Sequence, residues 1–309
     1  MRIAILGATS QIAKDLVRAC AAKNSHELVL YARRPDAVCQ WLVSVGLAGR
    51  YMVADYAAFS SDQYFDAILN FVGVGSPAQA VAMGATIFDV TLTYDEMALD
   101  YVRQHPASKY IFLSSGAAYG SSFEEPVDEN TKAVIAINNL QPQDWYAVAK
   151  MHAECRHRSL LNLPIVDIRV FNYFSHTQDM EARFLITDIL RAIRDKTVLK
   201  ISSDYIVRDF IHPSDFYSLV NSILCAPATN TVLDAYSKAP IDKPTMLKMM
   251  QDKFGLRFET TNHTTSVNAT GGKPNYYSLN KHAAKFGYQP KITSKAGLLL
   301  ECEAMLACI

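Results

Sequence analysis

The sequence predicts an α/β protein: a doubly wound parallel sheet over roughly the first half, followed by a smaller C-terminal lobe. Three observations carry this expectation. Short segments such as "RIAILGA", "KYIFLSS" and "LPIVDIRVF" are apolar throughout, the pattern of strands covered on both faces. They alternate with stretches whose apolar residues recur at helical spacing, as βαβ units require. A glycine follows the first strand at the point where such sheets turn into their first helix.

Taken in order, "RIAILGA" is a buried strand and "SQIAKDLVRACAA" an amphipathic helix. "ELVLYAR" is a second strand, and Pro35 opens a helix through "DAVCQWLVSVG", since proline suits a first helical position. The segments "RYMVAD" and "YFDAILNFVGV" supply two more strands. A helical stretch, the strand "KYIFLSS", a helix holding Tyr146 and the strand "LPIVDIRVF" complete the unit. Residues 1–171 form this first domain, and strands and helices around 203–238 are expected to return to it. Beyond Phe171 longer helices, "MEARFLITDILRAIRD", "DKPTMLKMMQDKFG" and "SKAGLLLECEAMLA", mark the second lobe, 172–309, with a cleft between the two.

Composition narrows the function. Half of the 309 residues are hydrophobic, enough for a large core, and 30 basic side chains balance 30 acidic ones. No surplus charge is available for nucleic acid or an anionic membrane, so an anionic ligand must be met locally. The six cysteines show neither a CxxC pair nor metal-ligand spacing, and no metal is expected. A strand beginning at the second residue leaves no room for a leader, and no apolar run approaches a membrane span. A cytoplasmic protein with reduced thiols is the expectation.

The turn "GATSQIA", Gly7 to Ala13, places backbone N–H groups and a helix N-terminus where a pyrophosphate can approach. Gly7 makes the tight turn, and Thr9, Ser10, Gln11 and Ile12 are candidate contacts. At the end of the second strand stand Arg33 and Arg34 with no Asp or Glu in "LYARRP". Guanidinium groups there suit a 2′-phosphate, which favours NADP over NAD. Two arginines that merely solvate a strand end are the alternative. Asp55 and Tyr56 after the third strand, and Phe71 and Gly73 in "NFVGVG" after the fourth, complete the candidate cofactor surface.

In "WYAVAK", Tyr146 and Lys150 lie four residues apart, about 6 Å along one face of a helix. A phenol is a poor base at neutrality, but a neighbouring ammonium favours its ionised form, making a proton donor and acceptor for use near pH 7. Lys150 can also hold the ribose hydroxyls of a nicotinamide cofactor. Ser114 and Ser115 end a buried strand on the edge where doubly wound sheets bind ligands, and either can bond a substrate oxygen.

Together these motifs resemble the extended short-chain dehydrogenase/reductase family, in its nucleotide-sugar epimerase/dehydratase branch, across nearly the whole chain. "GATSQIA" is similar to the family's GxxGxxG/A, "SSGAAYG" to SSxxxYG, "YAVAK" to YxxxK, "RVFN" to RxFN and "RDFIHPSD" to RDxIHxxD. "KPNYYSLNKHAAKFGYQP" is similar to its closing stretch. The resemblance implies a Rossmann domain that binds NAD(P) and a substrate-binding lobe. It implies Ser115, Tyr146 and Lys150 as the catalytic set, and Asn172 and Arg208 as contacts to the nucleotide part of the substrate. The sequence departs from the pattern in three places. Ser10 stands at the middle glycine, the Asp-Glu pair of 4,6-dehydratases is missing after Ser115, and "NATGGKP" has no Arg or Asp, leaving Lys273 as the point charge there.

The resemblance and the residues lead to an NADP-dependent oxidoreductase that acts on a nucleotide-activated sugar, with reduction of a 4-keto-6-deoxyhexose first and C4 epimerisation with retained cofactor second. Outside that chemistry stand a reductase of non-sugar ketones or aldehydes and a cofactor-sensing binder without turnover. A homodimer through the helices carrying "MALDYVRQ" and "AKMHAECRH" is a further implication of the resemblance. His176 could face the sugar but reads first as structural. His212 reads as architectural, His152, His157 and Cys155 as helix surface, and Trp145 as pocket lining or packing.

Overall fold

The computed structural model describes residues 1–74, 77–120, 123–261 and 273–307. Gly75, Cys308 and residues 262–272 of the polar segment lie outside them. In chain order the strands are β1 (Arg2–Leu6), β2 (Glu27–Tyr31), β3 (Met52–Ala54), β4 (Ala67–Asn70), β5 (Lys109–Ser115), β6 (Ile165–Val170), β7 (Asn172–Tyr173), β8 (Val198–Ser202), β9 (Val207–Arg208), β10 (Phe210–Ile211), β11 (Thr231–Asp234), β12 (Ile241–Asp242), β13 (Arg257–Thr261) and β14 (Asn275–Tyr276). The helices are α1 (Gln11–Lys23), α2 (Pro35–Ser44), α3 (Pro77–Met83), α4 (Thr86–Gln104), α5 (Trp145–Ser159), α6 (Leu185–Arg194), α7 (Pro213–Cys225), α8 (Lys243–Phe254) and α9 (Ser294–Leu306).

Seven parallel strands form the main sheet in the order β11-β6-β5-β4-β1-β2-β3. Alternate side chains of each strand enter different cores, as the strand period of two dictates. Ile3 and Ile5 pack with Leu16 and Val17 of α1 and Phe216 and Leu219 of α7, whereas Ala4 and Leu6 face Ala98, Leu99 and Val102 of α4. A separate core joins Ile189 and Leu190 of α6, Leu247 and Met250 of α8, and Leu298 and Cys302 of α9. The late strand β11 extends the main sheet beside β6, and α7 packs on α1.

Local chemistry sets the boundaries. Ser10 caps α1 by accepting the Ala13 N–H at 3.2 Å, Asn24 closes that helix in the left-handed conformation, and Pro35 opens α2. The helix expected from "MEARF" begins only at Leu185. Phe184 is extended at φ −123 and ψ 154, and its N–H donates to the Thr187 hydroxyl, so the preceding residues are held out of the helix.

The reading of His157 as helix surface is overturned, for its side chain is fully buried. Its Nδ1 lies 2.6 Å from Asp167 and its Nε2 2.7 Å from Asp95, two carboxylates that are themselves buried. Burial alone would lower the imidazole pKa, but the two carboxylates outweigh it and push it up to about 9. Because this lies above the ordinary 6.5, the stabilisation is complete below about pH 6.5 and is lost as pH rises through 9. His157→Ala is expected to cost roughly 2–4 kcal/mol, since Asp95 and Asp167 keep Arg156 and Arg158 but lose the buried cation between them. Denaturant melts near neutral pH measure this.

The order of strands reverses between β1 and β4, the crevice where doubly wound sheets take their ligands. Gly7 sits there at φ +81, and a Cβ on it would come within 2.7 Å of the Phe71 backbone carbon. Only glycine fits this close approach. Among the described residues no helix is long and apolar enough to cross a membrane, and no group of His, Cys, Asp or Glu could hold a metal ion.

Candidate active site

A cavity of about 530 Å³ runs from the first turn of α1 over the ends of β4 and β5 to β9 and β14. It brings together Ser10, Gln11, Ile12, Phe71 and Gly73 on one side with Ser115, Tyr146 and Lys150 at the centre, and reaches Asn172, Arg208 and Lys273 beyond. Gly7, Thr9, Arg33, Arg34, Asp55 and Tyr56 do not line it. Arg33 and Arg34 stand exposed after β2, while Asp55 turns back to accept the Ala58 N–H at 3.2 Å. Tyr56 bonds inward, its hydroxyl accepting the Gly7 N–H at 3.0 Å.

The helix that carries Tyr146 and Lys150 buries one face against β5. Lys150 is 4% exposed, and its ammonium donates to the Leu113 carbonyl at 2.7 Å and lies 4.3 Å from the Phe112 ring centroid. Burial lowers its pKa to about 8 against the pull of Asp95, Glu154 and Asp167. Tyr146 is half-buried, 6.0 Å from ring centroid to the Lys150 nitrogen. Its pKa is raised by burial, with Ser115 drawing it the other way. Burial here works against the ionisation that the neighbouring lysine favours.

The two strand-end serines are separated by their partners. Ser114 donates to Glu154, which also pairs with Arg169. Ser115 accepts the Ala117 N–H at 3.1 Å and lies 3.3 Å from the Tyr276 hydroxyl. Gly116 is crowded by Phe171, whose ring would stand 2.4 Å from any Cβ there. Phe171 thus packs beneath the turn, and no side chain fits after Ser115.

On the far side, the small sheet β12-β9-β14 gathers three cations in or beside its strands. Arg208 donates to the Val207 and Lys273 carbonyls at 2.8 Å each, and burial lowers its pKa to about 10. The Asn172 amide also points to backbone, 3.3 Å from the Asp209 carbonyl. Lys273 lies over the Phe123 and Tyr276 rings, 3.3 Å from the Gly120 carbonyl, and burial together with Arg208 lowers its pKa to about 8. Lys243 joins them, buried and 2.9 Å from the Ser202 carbonyl, and burial lowers its pKa as well.

Sequence reasoning missed Lys243 and Tyr276. A lysine opening a helix reads as surface, and a tyrosine inside "KPNYYSLN" carries no sign of a serine 161 residues away. His176 is held by Glu301 at 2.6 Å and lies 3.2 Å from Arg18, and His212 meets the same carboxylate at 2.9 Å. Trp145 packs with Ala80, Ile87 and Ala149.

The cavity fits a dinucleotide on its own features. The first turn of α1 has no acidic side chain, and the N–H groups of such a turn have no intrahelical acceptor. Gly73, at φ +155, leaves the approach to Lys150 open. The residues then offer a proton donor at Tyr146, a hydrogen-bonding hydroxyl at Ser115 and cations for a polyanionic substrate.

Comparison with known proteins bears on the family and the fold. Residues 3–236 match the model of the NAD dependent epimerase/dehydratase family. No curated protein sequence matches. The fold is similar to UDP-glucuronic acid 4-epimerase from Bacillus cereus, solved with UDP-glucuronic acid and NAD, at TM-score 0.79 and 15% identity over 100% of both chains. It is similar to UDP-glucose-4-epimerase from Stenotrophomonas maltophila, solved with NAD and formylated UDP-arabinopyranose, at TM-score 0.80 and 17% identity, again over 100% of both. It is also similar to dTDP-glucose 4,6-dehydratase from Bacillus anthracis, solved with NAD, at TM-score 0.76 and 16% identity over 98% of this chain and 96% of that one.

Proposed function

The chain belongs to the NAD dependent epimerase/dehydratase family, and we propose that within it the protein reduces a nucleotide-linked 4-keto-6-deoxyhexose with NADPH, through Ser115, Tyr146 and Lys150. The observation that carries this reading is the reaction centre itself: a phenol beside a serine, with no further acid or base after the serine. Elimination of water needs an acid and a base beyond the tyrosine. Where 4,6-dehydratases carry them, this chain has Gly116, with Phe171 filling the space, and Ala117.

NADPH, when bound, supplies hydride to the carbonyl carbon. Ser115 bonds the carbonyl oxygen, and Tyr146 gives that oxygen its proton. Lys150 holds the ribose hydroxyls and the charge near the phenol. Lys243, Arg208 and Lys273 take the nucleotide diphosphate, with Asn172 beside them, so residues 172–309, apart from α7 and β11, are mainly the substrate-binding lobe. Gln11, Ile12 and Ser10 border the cofactor pyrophosphate, with Gly7, Thr9, Phe71 and Gly73 shaping its passage and Asp55 and Tyr56 near the adenine. Pairing of two chains through α4 and α5 belongs to the same reading.

NADPH is favoured by Arg33 and Arg34, which stand exposed beyond β2. Changing both to Ala is expected to raise the KM for NADPH about 10- to 100-fold, the range of a lost charge-assisted contact, with NADH altered less than about threefold. Equal losses with both cofactors would remove the preference.

A second reading, C4 epimerisation with retained cofactor, is supported by the 4-epimerases among the proteins that share the fold, two of them described above as solved with NAD. The near-ultraviolet absorbance of NADPH separates the two on a panel of nucleotide sugars and their 4-keto-6-deoxy derivatives. Stoichiometric loss with a keto sugar supports reduction, and interconversion of ordinary nucleotide sugars at constant absorbance replaces it with epimerisation. Binding of NADPH with no conversion of any member would leave a cofactor-sensing protein.

A further inference from the structure

The C-terminal strand β14 reaches back across the cleft and places one hydroxyl at the catalytic turn. Tyr276 is 4% exposed and lies opposite Arg208 in the parallel pairing of β14 with β9. Its ring is walled by Phe123, at a centroid distance of 4.8 Å, and by Phe171 at 5.2 Å. Its hydroxyl is 3.3 Å from the Ser115 oxygen, which also accepts the Ala117 N–H at 3.1 Å.

A serine hydroxyl has one proton to give and two lone pairs to receive with. The Ala117 N–H occupies one lone pair of Ser115. We infer that Tyr276 donates to the other and is thereby a positioning residue, fixing Ser115 as a hydrogen-bond donor toward the substrate oxygen. The inference rests on the reading above, in which Ser115 bonds that oxygen.

The direction of the Tyr276 bond follows from its surroundings. The Tyr276 phenol has one proton to give, and the Ser115 oxygen 3.3 Å away is in position to accept it. Burial raises the Tyr276 pKa well above its ordinary value, and the phenol stays protonated through the neutral range. With both lone pairs engaged, Ser115 has its proton left to give, which the Tyr146 phenol takes until the substrate oxygen replaces it. A donor held in place before the substrate arrives needs no reorganisation when negative charge grows on the carbonyl oxygen.

A double-mutant cycle tests this directly. Tyr276→Phe is expected to lower kcat about 5- to 20-fold with the KM for NADPH unchanged. In a Ser115→Ala background the same change is expected to have less than about twofold effect, because residues that act through one bond are not additive. Equal effects in both backgrounds, or a near-normal kcat for Tyr276→Phe beside a crippled Ser115→Ala, would overturn the role of Tyr276 alone. A near-normal Ser115→Ala, or wild-type protein without turnover, would overturn the underlying reading and the inference with it.

A shape-preserving change covers the case in which Tyr276→Phe misfolds. Replacement of Tyr276 by 3,5-difluorotyrosine lowers the phenol pKa with little change in bulk. An ionised Tyr276 would accept from Ser115 and turn its proton away from the substrate. At pH 7, below the titration of Lys150, the fluorinated phenol keeps its proton, and activity is expected within about threefold of the wild type; a loss as large as that of Tyr276→Phe would contradict the inference.

Discussion

Tyr146→Phe is expected to reduce turnover about 10³-fold, within the range that a positioned proton donor contributes, while the folded protein and its affinity for NADPH stay close to wild type. The loss should be in kcat. The Tyr146 hydroxyl is the proton source at the reaction centre, whereas its ring, packed toward Ala80, Ile87 and Ala149, is conserved in shape by phenylalanine. Burial favours the protonated phenol, which suits delivery of a proton to a ketone oxygen and requires no prior ionisation. A variant retaining a tenth or more of the wild-type rate would show that the proton comes from elsewhere.

Lys150→Met separates the cost of the site from its use. The lysine is almost fully buried, and its pKa falls from 10.5 to about 8, mainly through desolvation. That difference corresponds to roughly 3 kcal/mol spread over the titration. The unfolded chain binds the proton more tightly than the native one, so the wild type gains stability as pH rises from 8 to 10.5 and carries the full cost below 8. Lys150→Met is expected to melt above the wild type at pH 7, with the gap narrowing above pH 8, and to lose at least about 100-fold in turnover. Destabilisation at pH 7, or a gap independent of pH, would mean that the buried ammonium is net stabilising.

Much of the architecture was legible because it repeats locally. The apolar strands β1, β4, β5 and β6, Pro35 at the start of α2 and the tight turn at Gly7 follow from backbone and burial rules that act over a few residues. The four-residue spacing of Tyr146 and Lys150 is likewise a property of one helix. What failed depended on distant partners. His157 looked like surface within its own helix, and its burial comes from Asp95 on α4 and Asp167 on β6. Tyr276 meets Ser115 only because β14, paired with β9, brings it to the end of β5. Ser114 and Ser115 could not be told apart until Glu154 and Tyr276 took one each. The effect of burial on Tyr146 was hidden for the same reason: proximity to lysine is written in the sequence, while desolvation is a sum over the whole cavity.

The central claim is that hydride passes to the sugar carbon whose oxygen Tyr146 protonates, and its most direct test is the fate of a label. NADPH carrying deuterium at nicotinamide C4 is mixed with the protein and the panel of nucleotide 4-keto-6-deoxysugars, and the products are read by mass spectrometry and NMR. The expected result is a hydroxy sugar with deuterium at C4, one equivalent of cofactor oxidised per sugar, and neither change with Tyr146→Phe. Cofactor oxidised without deuterium in any sugar, or sugars converted at full rate by Tyr146→Phe, would contradict it.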